Sequence, residues 1–441
     1  MLPLLSCSEW VGPALRSVDL CIGTLTASSA NLLVGRLSWV FPIAEGSLGS
    51  LDMTVQRLQP YAVNIFAAMS ALAARVGAVN LGQGFPDEDG PAAMLDAARQ
   101  AITDGVNQYP PGPGILALRQ AVAAQRLRRY GMQFDPETEV LITVGASEAI
   151  AASVLGLVEP GSDVLVIEPA FDTYAPVIAM AGCNRVTVAL VPDGQGFALD
   201  VDALRAAITP RTRAVIVNSP HNPTGMVLSD TDLRALAGVA VEADLLVISD
   251  EVYEHLVYDD TRHLPIATYP GMAARTVTIS SAAKMFNCTG WKIGWACGAT
   301  DLIAGVRAAK QYLSYVGGAP FQPAVAYALN TEDAWVDALR DSLQVKRDAL
   351  AGALTDIGFA VHDSAGTYFL CADPRPLGFS DSAAFCAELP TRAGVAAIPM
   401  SAFCDPHSGH AEKWNHLVRF AFCKRQETLD EAIRRLAVLR A

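Results

Sequence analysis

Lysine is scarce in this chain of 441 residues, in which lysine and arginine together number 32. The six lysines are Lys284, Lys292, Lys310, Lys346, Lys413 and Lys424. Because none lies before position 284, few candidates exist for chemistry that needs a lysine amine. Aspartate and glutamate number 45, which gives a formal net charge of −13. That balance repels a phosphate backbone and argues against a nucleic-acid-binding protein.

Sequence patterns that define several other classes of protein are also missing. The nine cysteines are scattered and form no C-x-x-C pair, which argues against a disulfide framework and favours a reducing cytoplasm. No Walker-type G-x-x-x-x-G-K-[ST], G-x-S-x-G or H-E-x-x-H sequence occurs. The spacing of Cys404, His407 and His410 is compatible with a metal, but a polar loop without a second ligand cluster favours an ordinary surface loop. No metal site is predicted.

Residues 1–52 differ in composition from the rest of the chain. They contain few charges and mix apolar runs with serine, glycine and alanine. The longest uncharged run, Leu20 to Gly35, is too short and too polar to span a bilayer, and no basic segment typical of a signal peptide precedes it. We expect a poorly ordered extension or an over-long gene start, and no association with a membrane.

From about residue 95 onward, short apolar runs alternate with amphipathic stretches such as Leu199–Ile208 and Asp230–Ala243. This alternation predicts an α/β fold with a mainly parallel sheet covered by helices on both faces. A long helix through Leu354, short strands near Tyr368–Cys371 and a closing helix from Glu427 predict a second, smaller α/β domain. We therefore expect a large domain at 95–333 and a small domain built from 53–94 and 334–441. The predicted strands of the large sheet are Val140–Val144, Val164–Glu168, Ala214–Asn218, Leu245–Asp250 and Thr276–Ser280.

Small or amide side chains follow two of these strands, at the sheet edge where ligands bind in open parallel sheets. Gly145, Ala146 and Ser147 follow the first strand and open a helix, whose exposed N–H groups would attract an anion. An ordinary helix cap is the alternative interpretation. Asn222 follows a third strand in the turn Ser-Pro-His-Asn-Pro-Thr-Gly, where two prolines would hold it in one orientation, although a plain turn is also compatible.

Charged side chains follow two further strands. Asp250 ends a buried strand, which is costly unless the carboxylate meets a cation or strong donors. A structural salt bridge is the alternative there. Lys284 follows a strand and is flanked by small and apolar residues, so burial would lower its pKa and leave a nucleophilic amine. With Lys292 and the phenol of Tyr253 close in sequence, this set matches what pyridoxal 5'-phosphate requires.

These motifs resemble those of the fold-type-I pyridoxal-phosphate aminotransferases of class I/II, which have the aspartate aminotransferase-like fold. The resemblance covers about Val55 to the C-terminus and includes the proline turn, Asp-Glu-Val-Tyr-Glu from Asp250, and Ser281-x-x-Lys284 followed by Gly-Trp-Lys292. Within that family the sequences of these motifs are similar to those of the methionine/kynurenine aminotransferase branch. Two segments are most similar to actinobacterial N-succinyldiaminopimelate aminotransferases of lysine biosynthesis. One starts at Asn80 (Asn-Leu-Gly-Gln-Gly-Phe-Pro-Asp), and the other starts at Ser280 (Ser-Ser-Ala-Ala-Lys-Met-Phe-Asn-Cys-Thr-Gly-Trp).

The resemblance implies a role for each cofactor-binding residue. Lys284 would bond covalently to the cofactor aldehyde and move the proton at the substrate α-carbon. Asp250 would pair with the pyridinium nitrogen, and Asn222 and Tyr253 would donate hydrogen bonds to the phenolic oxygen of the ring. Phe171 would stack on the ring. The phosphate would be held by Ala146, Ser147, Ser281 and Lys292.

The same resemblance implies how substrate and a second subunit bind. Arg419 would clamp the substrate α-carboxylate through its bidentate guanidinium, together with Asn222, and the backbone of Gly84 would approach the same group. Tyr109 would reach the phosphate of the neighbouring subunit. A homodimer with shared active sites is therefore expected.

The predicted function is ping-pong transamination, in which glutamate donates an amino group that then passes to a 2-oxo acid. By resemblance the acceptor would be N-succinyl-2-amino-6-oxopimelate. The alternative is a methionine or aromatic (kynurenine-type) aminotransferase with cysteine-conjugate β-lyase activity. A third hypothesis, a transcription regulator with an aminotransferase-like domain, is disfavoured because residues 1–52 show no basic helix-turn-helix pattern.

Overall fold

The computed structural model describes residues 54–62 and 64–440, so the predicted extension at 1–52 lies outside the described residues. In those ranges the chain forms fourteen α-helices and fifteen β-strands. Helices α1 to α14 are, in chain order, Ile65–Val76, Ala92–Thr103, Leu116–Tyr130, Gly145–Leu157, Tyr174–Met180, Val201–Ala206, Asp230–Glu242, Ala282–Met285, Thr300–Leu313, Phe321–Thr331, Asp333–Ile357, Ser382–Arg392, Ala411–Trp414 and Gln426–Leu436. Strands β1 to β15 are Val79–Asn80, Val140–Val144, Asp163–Glu168, Asn184–Ala189, Val191–Asp193, Gly196–Ala198, Thr212–Asn218, Leu246–Asp250, Thr276–Ser281, Ile293–Cys297, Ala360–Val361, Phe369–Asp373, Val395–Ala396, Ile398–Pro399 and Val418–Ala421.

The largest sheet has seven strands in the order β2-β10-β9-β8-β7-β3-β4. All neighbours are parallel except β10, which runs antiparallel to both β2 and β9. The mainly parallel sheet is thus confirmed, and its five predicted strands are β2, β3, β7, β8 and β9. Their carboxyl ends meet at one edge, and the antiparallel β10 starts at that edge.

Two strands of this sheet lie beyond the predicted set. Strand β4 pairs only with β3 and leaves its first four residues partly exposed, so its apolar pattern is weak. Strand β10 is short and contains Gly294, a residue that disfavours strands. Both were therefore hard to distinguish from loops by composition alone.

Helices cover the large sheet on both faces, as the alternation predicted. On one face α4, α5 and α9 pack on the sheet through a core that includes Ile150 and Val306. On the other face α2, α3 and α10 enclose a second core that includes Leu118 and Trp295. Because successive strand residues point to opposite faces, Trp295 lies in the second core and Ala296 in the first.

A second sheet of four antiparallel strands has the order β11-β12-β15-β14. Strand β15 lies at its centre and pairs Arg419 with Cys371 on one side and Ile398 on the other. Near it, β1 pairs in parallel with β13, so Asn80 lies opposite Ala396 and the N-terminal part of the described chain pairs with its C-terminal part. The domain boundaries at 94/95 and 333/334 stay a prediction. Of the helices formed by residues 54–62 and 64–440, none has the length and apolarity needed to cross a membrane.

Candidate active site

The start of helix α4 forms an anion-binding corner at the end of β2. Gly145 adopts a φ of +71°, a conformation that favours glycine, and this lets the chain turn directly from strand into helix. Strand β10 approaches so closely that a Cβ on Gly294 would lie 2.7 Å from the backbone nitrogen of Ala146. The first N–H groups of a thirteen-residue helix are thereby held in a fixed place, with the positive end of the helix dipole.

Lys292 adds a full positive charge to this corner. It precedes β10 with a φ of 55°, and its Nζ lies 3.1 Å from the position that a Cβ on Gly145 would occupy. The same cavity is lined by Ala146, Ser147 and Ser281. The antiparallel β10 therefore brings a lysine to the helix start, where its ammonium and the helix N–H groups face one space.

Lys284 lies on the short helix α8, directly after β9. Its side chain is partly buried and lines the same cavity. Burial lowers the pKa of Lys284 to about 8, although Cys423 and Asp250 oppose the shift. Its Nζ lies 5.5 Å from the ring centroid of Tyr368 and 5.7 Å from that of Tyr253. Near pH 7 a far larger fraction of this amine is neutral than in an ordinary lysine, which makes it a better nucleophile.

Asp250 is 2% exposed at the end of β8 and borders the same cavity. The groups that donate hydrogen bonds to its carboxylate are neutral: Tyr174 OH at 2.6 Å and Val252 N at 3.4 Å. Burial raises the pKa of Asp250 to about 6, while the Tyr174 hydrogen bond opposes that rise. A buried carboxylate with neutral donors is prepared to receive a cation.

Asn218 fixes the proline turn that carries Asn222. Its side-chain nitrogen donates to the backbone oxygen of Asp250 at 2.9 Å, and its oxygen accepts from the backbone nitrogen of Asn222 at 2.7 Å. The Oδ1 of Asn222 in turn accepts a hydrogen bond of 2.8 Å from Nη1 of Arg419. The side chains of Asn218 and Asn222 thus connect the end of β7 to Asp250 on β8 and to Arg419 of the second sheet.

Arg419 is 2% exposed, and its second hydrogen-bond partner is the Gly82 backbone oxygen, 2.8 Å from Nη2. Within the described ranges its Nε has no hydrogen-bond partner. The Cζ lies 3.9 Å from the ring centroid of Phe369 and 4.6 Å from that of Phe403. Burial lowers the pKa of Arg419 to about 10. A buried guanidinium held by neutral oxygens, with Nε unpaired, suits a carboxylate ligand.

The backbone of Gly84 lies against the aromatic wall beside Arg419. A Cβ at this position would lie 2.4 Å from Cζ of Phe369, so only glycine fits without displacing that ring. The Gly84 carbonyl accepts a hydrogen bond from Tyr368 OH at 2.5 Å. Tyr368 thus joins the Gly84 segment to the cavity that holds Lys284.

The structure brings most of the predicted site residues into one cavity. Tyr109 is different: it is 83% exposed and packs edge to face on Tyr315, with ring centroids 5.7 Å apart. Arg419 reaches the cavity through Asn222, and Gly84 reaches it through Tyr368. The predicted residues that line the cavity are Ala146, Ser147, Phe171, Asn222, Asp250, Tyr253, Ser281, Lys284 and Lys292.

Sequence reasoning missed a buried charge network behind this edge of the sheet. Arg126, with no exposed surface, lies 2.8 Å from Glu254 and 3.2 Å from Glu251. Ser280 donates to Glu254 at 2.6 Å. Burial alone would raise the pKa of Glu254, but Arg126 and its other neighbours lower it to about 2. The network ties the segment after β8 and the end of β9 to α3. Its signal in the sequence is the pair of acids, Glu251 and Glu254, close to Tyr253.

The three residues considered as metal ligands, Cys404, His407 and His410, have different surroundings. Cys404 is buried, His407 is exposed, and Nδ1 of His410 lies 3.1 Å from the buried carboxylate of Glu168. In the described part of the chain, no group of three or more histidine, cysteine, aspartate or glutamate side chains has an arrangement that would hold a metal ion.

Comparison with known proteins connects this geometry to a family. The family model for aminotransferase class I and II matches residues 76–436. The chain belongs to the class I and II aminotransferases. It is 74% identical over 391 residues to a probable N-succinyldiaminopimelate aminotransferase of Mycobacterium tuberculosis, covering 88% of this chain and 98% of that protein.

Solved structures of family members agree with the fold. An N-succinyldiaminopimelate aminotransferase structure from M. tuberculosis has a TM-score of 0.86 at 74% identity, covering 88% of this chain and all of that chain (100%). An Escherichia coli methionine aminotransferase structure has a TM-score of 0.82 at 37% identity, covering 87% and 99%. Among human proteins, kynurenine–oxoglutarate transaminase 3 is 34% identical over 409 residues, or 87% of this chain and 90% of that protein. These similarities confirm the predicted family and the aspartate aminotransferase-like fold.

Proposed function

We propose that this aminotransferase uses pyridoxal 5'-phosphate to transfer an amino group from glutamate to N-succinyl-2-amino-6-oxopimelate. The observation that carries the cofactor assignment is the cavity shared by Lys284, Asp250 and Lys292. The 74% identity to the mycobacterial enzyme supports the choice of substrate.

The charges of the cavity fit two polar groups of this cofactor, the phosphate and the ring nitrogen. Lys292 and the N–H groups at the start of α4 would hold the phosphate. Asp250, with its neutral donors, would hold the protonated ring nitrogen. Bound pyridoxal phosphate would supply an aldehyde that accepts the amino group and a ring that accepts the electrons left on the substrate α-carbon. Phe171 lines the same cavity and would stack on the ring.

The residues of the chain supply binding and proton transfer. Lys284 would bond to the aldehyde and, once displaced by substrate, would carry the proton from and to the α-carbon. Its lowered pKa favours the neutral base that this task requires. Asn222 and Tyr253 would hydrogen-bond the phenolic oxygen of the ring, and Arg419 would bind the substrate α-carboxylate.

Arg419→Ala is expected to raise KM for glutamate and for the oxo acid by about 30- to 150-fold, the equivalent of about 2–3 kcal/mol for a charged bidentate contact. Steady-state kinetics would measure this change. Arg419→Lys separates the effect of charge from that of geometry, because lysine keeps the positive charge but lacks the planar guanidinium that donates two parallel hydrogen bonds. The KM of this variant should also rise. Arg375→Ala is a matched control at an exposed arginine that pairs with Asp373. Unchanged KM values in both Arg419 variants would contradict the clamp role.

Substrate choice is tested by comparing kcat/KM for N-succinyldiaminopimelate, methionine and kynurenine, each with 2-oxoglutarate as acceptor. We expect the succinylated substrate to be preferred by about 100-fold or more, the scale set by charged contacts to its additional carboxylates. The 37% identity to the methionine aminotransferase structure is the observation that favours the alternative function. A preference for methionine or kynurenine would establish that alternative and refute the lysine-pathway assignment.

We also infer a homodimer with shared active sites. Tyr109 and Tyr312 are 83% and 90% exposed, and the neighbouring Tyr315 is 41% exposed, which is unusual for large aromatic side chains in a monomer. A second copy would cover them and bring Tyr109 to the phosphate corner of its neighbour. Light scattering coupled to size-exclusion chromatography tests the dimer, and a monomer at micromolar concentration would refute it.

A cytoplasmic location completes the proposal. The cysteines in the described part of the chain are buried and unpaired. Reduced thiols of this kind fit a reducing compartment.

A further inference from the structure

The carboxylate of Glu168, at the end of β3, is buried among donors from one distant segment. Glu168 is 1% exposed. Its Oε1 accepts from the backbone nitrogen of Asp405 at 2.7 Å, and its Oε2 accepts from Ser408 Oγ at 3.3 Å and lies 3.1 Å from Nδ1 of His410. A carboxylate buried without such partners would be strongly unfavourable. Glu168 therefore ties the segment 403–410 to the edge of the large sheet.

The tied segment reaches the site through Phe403. The Phe403 backbone oxygen accepts a hydrogen bond of 2.7 Å from the nitrogen of Ala170, two residues after Glu168. The Phe403 ring then packs against the Arg419 guanidinium, as the Phe369 ring does. Phe66 packs edge to face on Phe403, with ring centroids 5.4 Å apart.

The position of Phe403 matters because the guanidinium is planar. Its two Nη atoms are held by Asn222 and Gly82, and the two rings restrict rotation of the plane about those bonds. Bidentate binding of a carboxylate depends on the orientation of that plane. A small displacement of a positioning group lowers binding or rate by large factors.

We propose that Glu168 is a positioning residue for substrate binding: it holds segment 403–410 so that Phe403 keeps the Arg419 guanidinium aligned with the substrate carboxylate. This inference rests on the proposed role of Arg419. The Cys404–His410 segment thereby has a structural role, in which His410 is a partner of Glu168.

Glu168→Gln tests this role, because glutamine keeps the size and one acceptor oxygen but places an amide nitrogen against donors. KM for glutamate and Kd for maleate, a non-reacting dicarboxylate, should rise about tenfold in the holoenzyme, while kcat changes less than about twofold. The absorbance spectrum of the bound cofactor should stay unchanged. A fall in melting temperature without any change in KM or Kd would indicate a purely structural role and overturn the proposal.

A double-mutant cycle with Phe403→Leu tests whether Glu168 acts through that ring. Phe403→Leu alone should also raise KM, and the combined variant should have a KM no higher than that of Phe403→Leu. Multiplied effects would show that Glu168 acts by another route and would refute the proposal. Arg185→Gln is the matched control, because it removes the Arg185–Asp405 ion pair of the same segment and replaces none of the three residues that hydrogen-bond the Glu168 carboxylate.

The Arg185→Gln enzyme should keep KM within about twofold of the native value. An equal rise in KM in this control would assign the effect to general anchoring of the segment, not to Glu168, and would overturn the proposal. The Arg419 variants distinguish the two levels of inference. If they leave KM unchanged, the clamp itself is wrong; if they raise KM and Glu168→Gln does not, only the positioning role is wrong.

Discussion

Lys284→Ala is expected to lower kcat for transamination by about 10⁴-fold or more, because it removes both the nucleophile and the proton carrier from the site. Lys284 is the lysine that lies beside Asp250 in the cavity and has its pKa lowered to about 8. Single-turnover absorbance measurements with glutamate would follow the loss. Lys413→Ala is the control, since Lys413 is exposed, and it should retain native activity.

The fold should survive this substitution. The folded-state pKa of Lys284 lies below its usual value of 10.5, so the protonated amine is disfavoured in the folded protein. Between about pH 8 and 10.5 the unfolded chain binds more protons at this residue than the folded protein does. The free energy of unfolding therefore falls as the pH is lowered from about 10.5 to 8. At pH 7 the cofactor-free Lys284→Ala protein should therefore be at least as stable as the native one, as circular dichroism during heating would show.

Borohydride reduction followed by peptide mapping provides an independent check of Lys284. The pyridoxyl group should be found on the peptide that contains Lys284. A label on another lysine, or substantial turnover by Lys284→Ala, would contradict the assignment.

The residues at strand ends were predictable because their chemistry is local. Asn222 and Asp250 each follow a short apolar run, and parallel strands bring such ends to one sheet edge. The position of Lys292 follows from the insertion of β10, antiparallel, between β2 and β9. The sequence pattern did not indicate this insertion. Strand order is set by pairing over long sequence distances, so a local pattern does not determine it.

Residues from other parts of the chain were found by resemblance or not at all. Arg419 lies on an antiparallel strand of the second sheet, and its own sequence context does not connect it to Asn222, 197 positions away. Tyr174 donates to Asp250 across 76 positions, and Glu168 meets His410 across 242. Each of these contacts follows from packing between elements, which hydrophobic periodicity does not encode. The role of Tyr109 stays a prediction, because a single chain leaves it exposed.

Asp250→Asn is expected to lower kcat by about 10²- to 10³-fold, the scale for losing one preorganised electrostatic group in a buried site. Asparagine keeps the shape and an acceptor for Tyr174 but removes the charge that would hold the ring nitrogen protonated. Affinity for pyridoxal phosphate should also fall, and titration of the cofactor-free enzyme by absorbance would measure it.

The pH dependence of cofactor binding distinguishes the charge of Asp250 from its shape. Because the pKa of Asp250 is raised to about 6, the native cofactor-free enzyme should lose affinity for pyridoxal phosphate as the pH falls through 6 and the carboxylate becomes neutral. Tyr174→Phe removes the hydrogen bond that opposes this rise in pKa, so its loss of affinity should begin at a higher pH. Asp250→Asn has no carboxylate to titrate there, so its loss of affinity should be clearly smaller and limited to the part that comes from the second ionisation of the cofactor phosphate at about pH 6. A step that persists unchanged in Asp250→Asn would show that another group pairs with the cofactor, and Asp250 would then be a structural acid that Tyr174 stabilises.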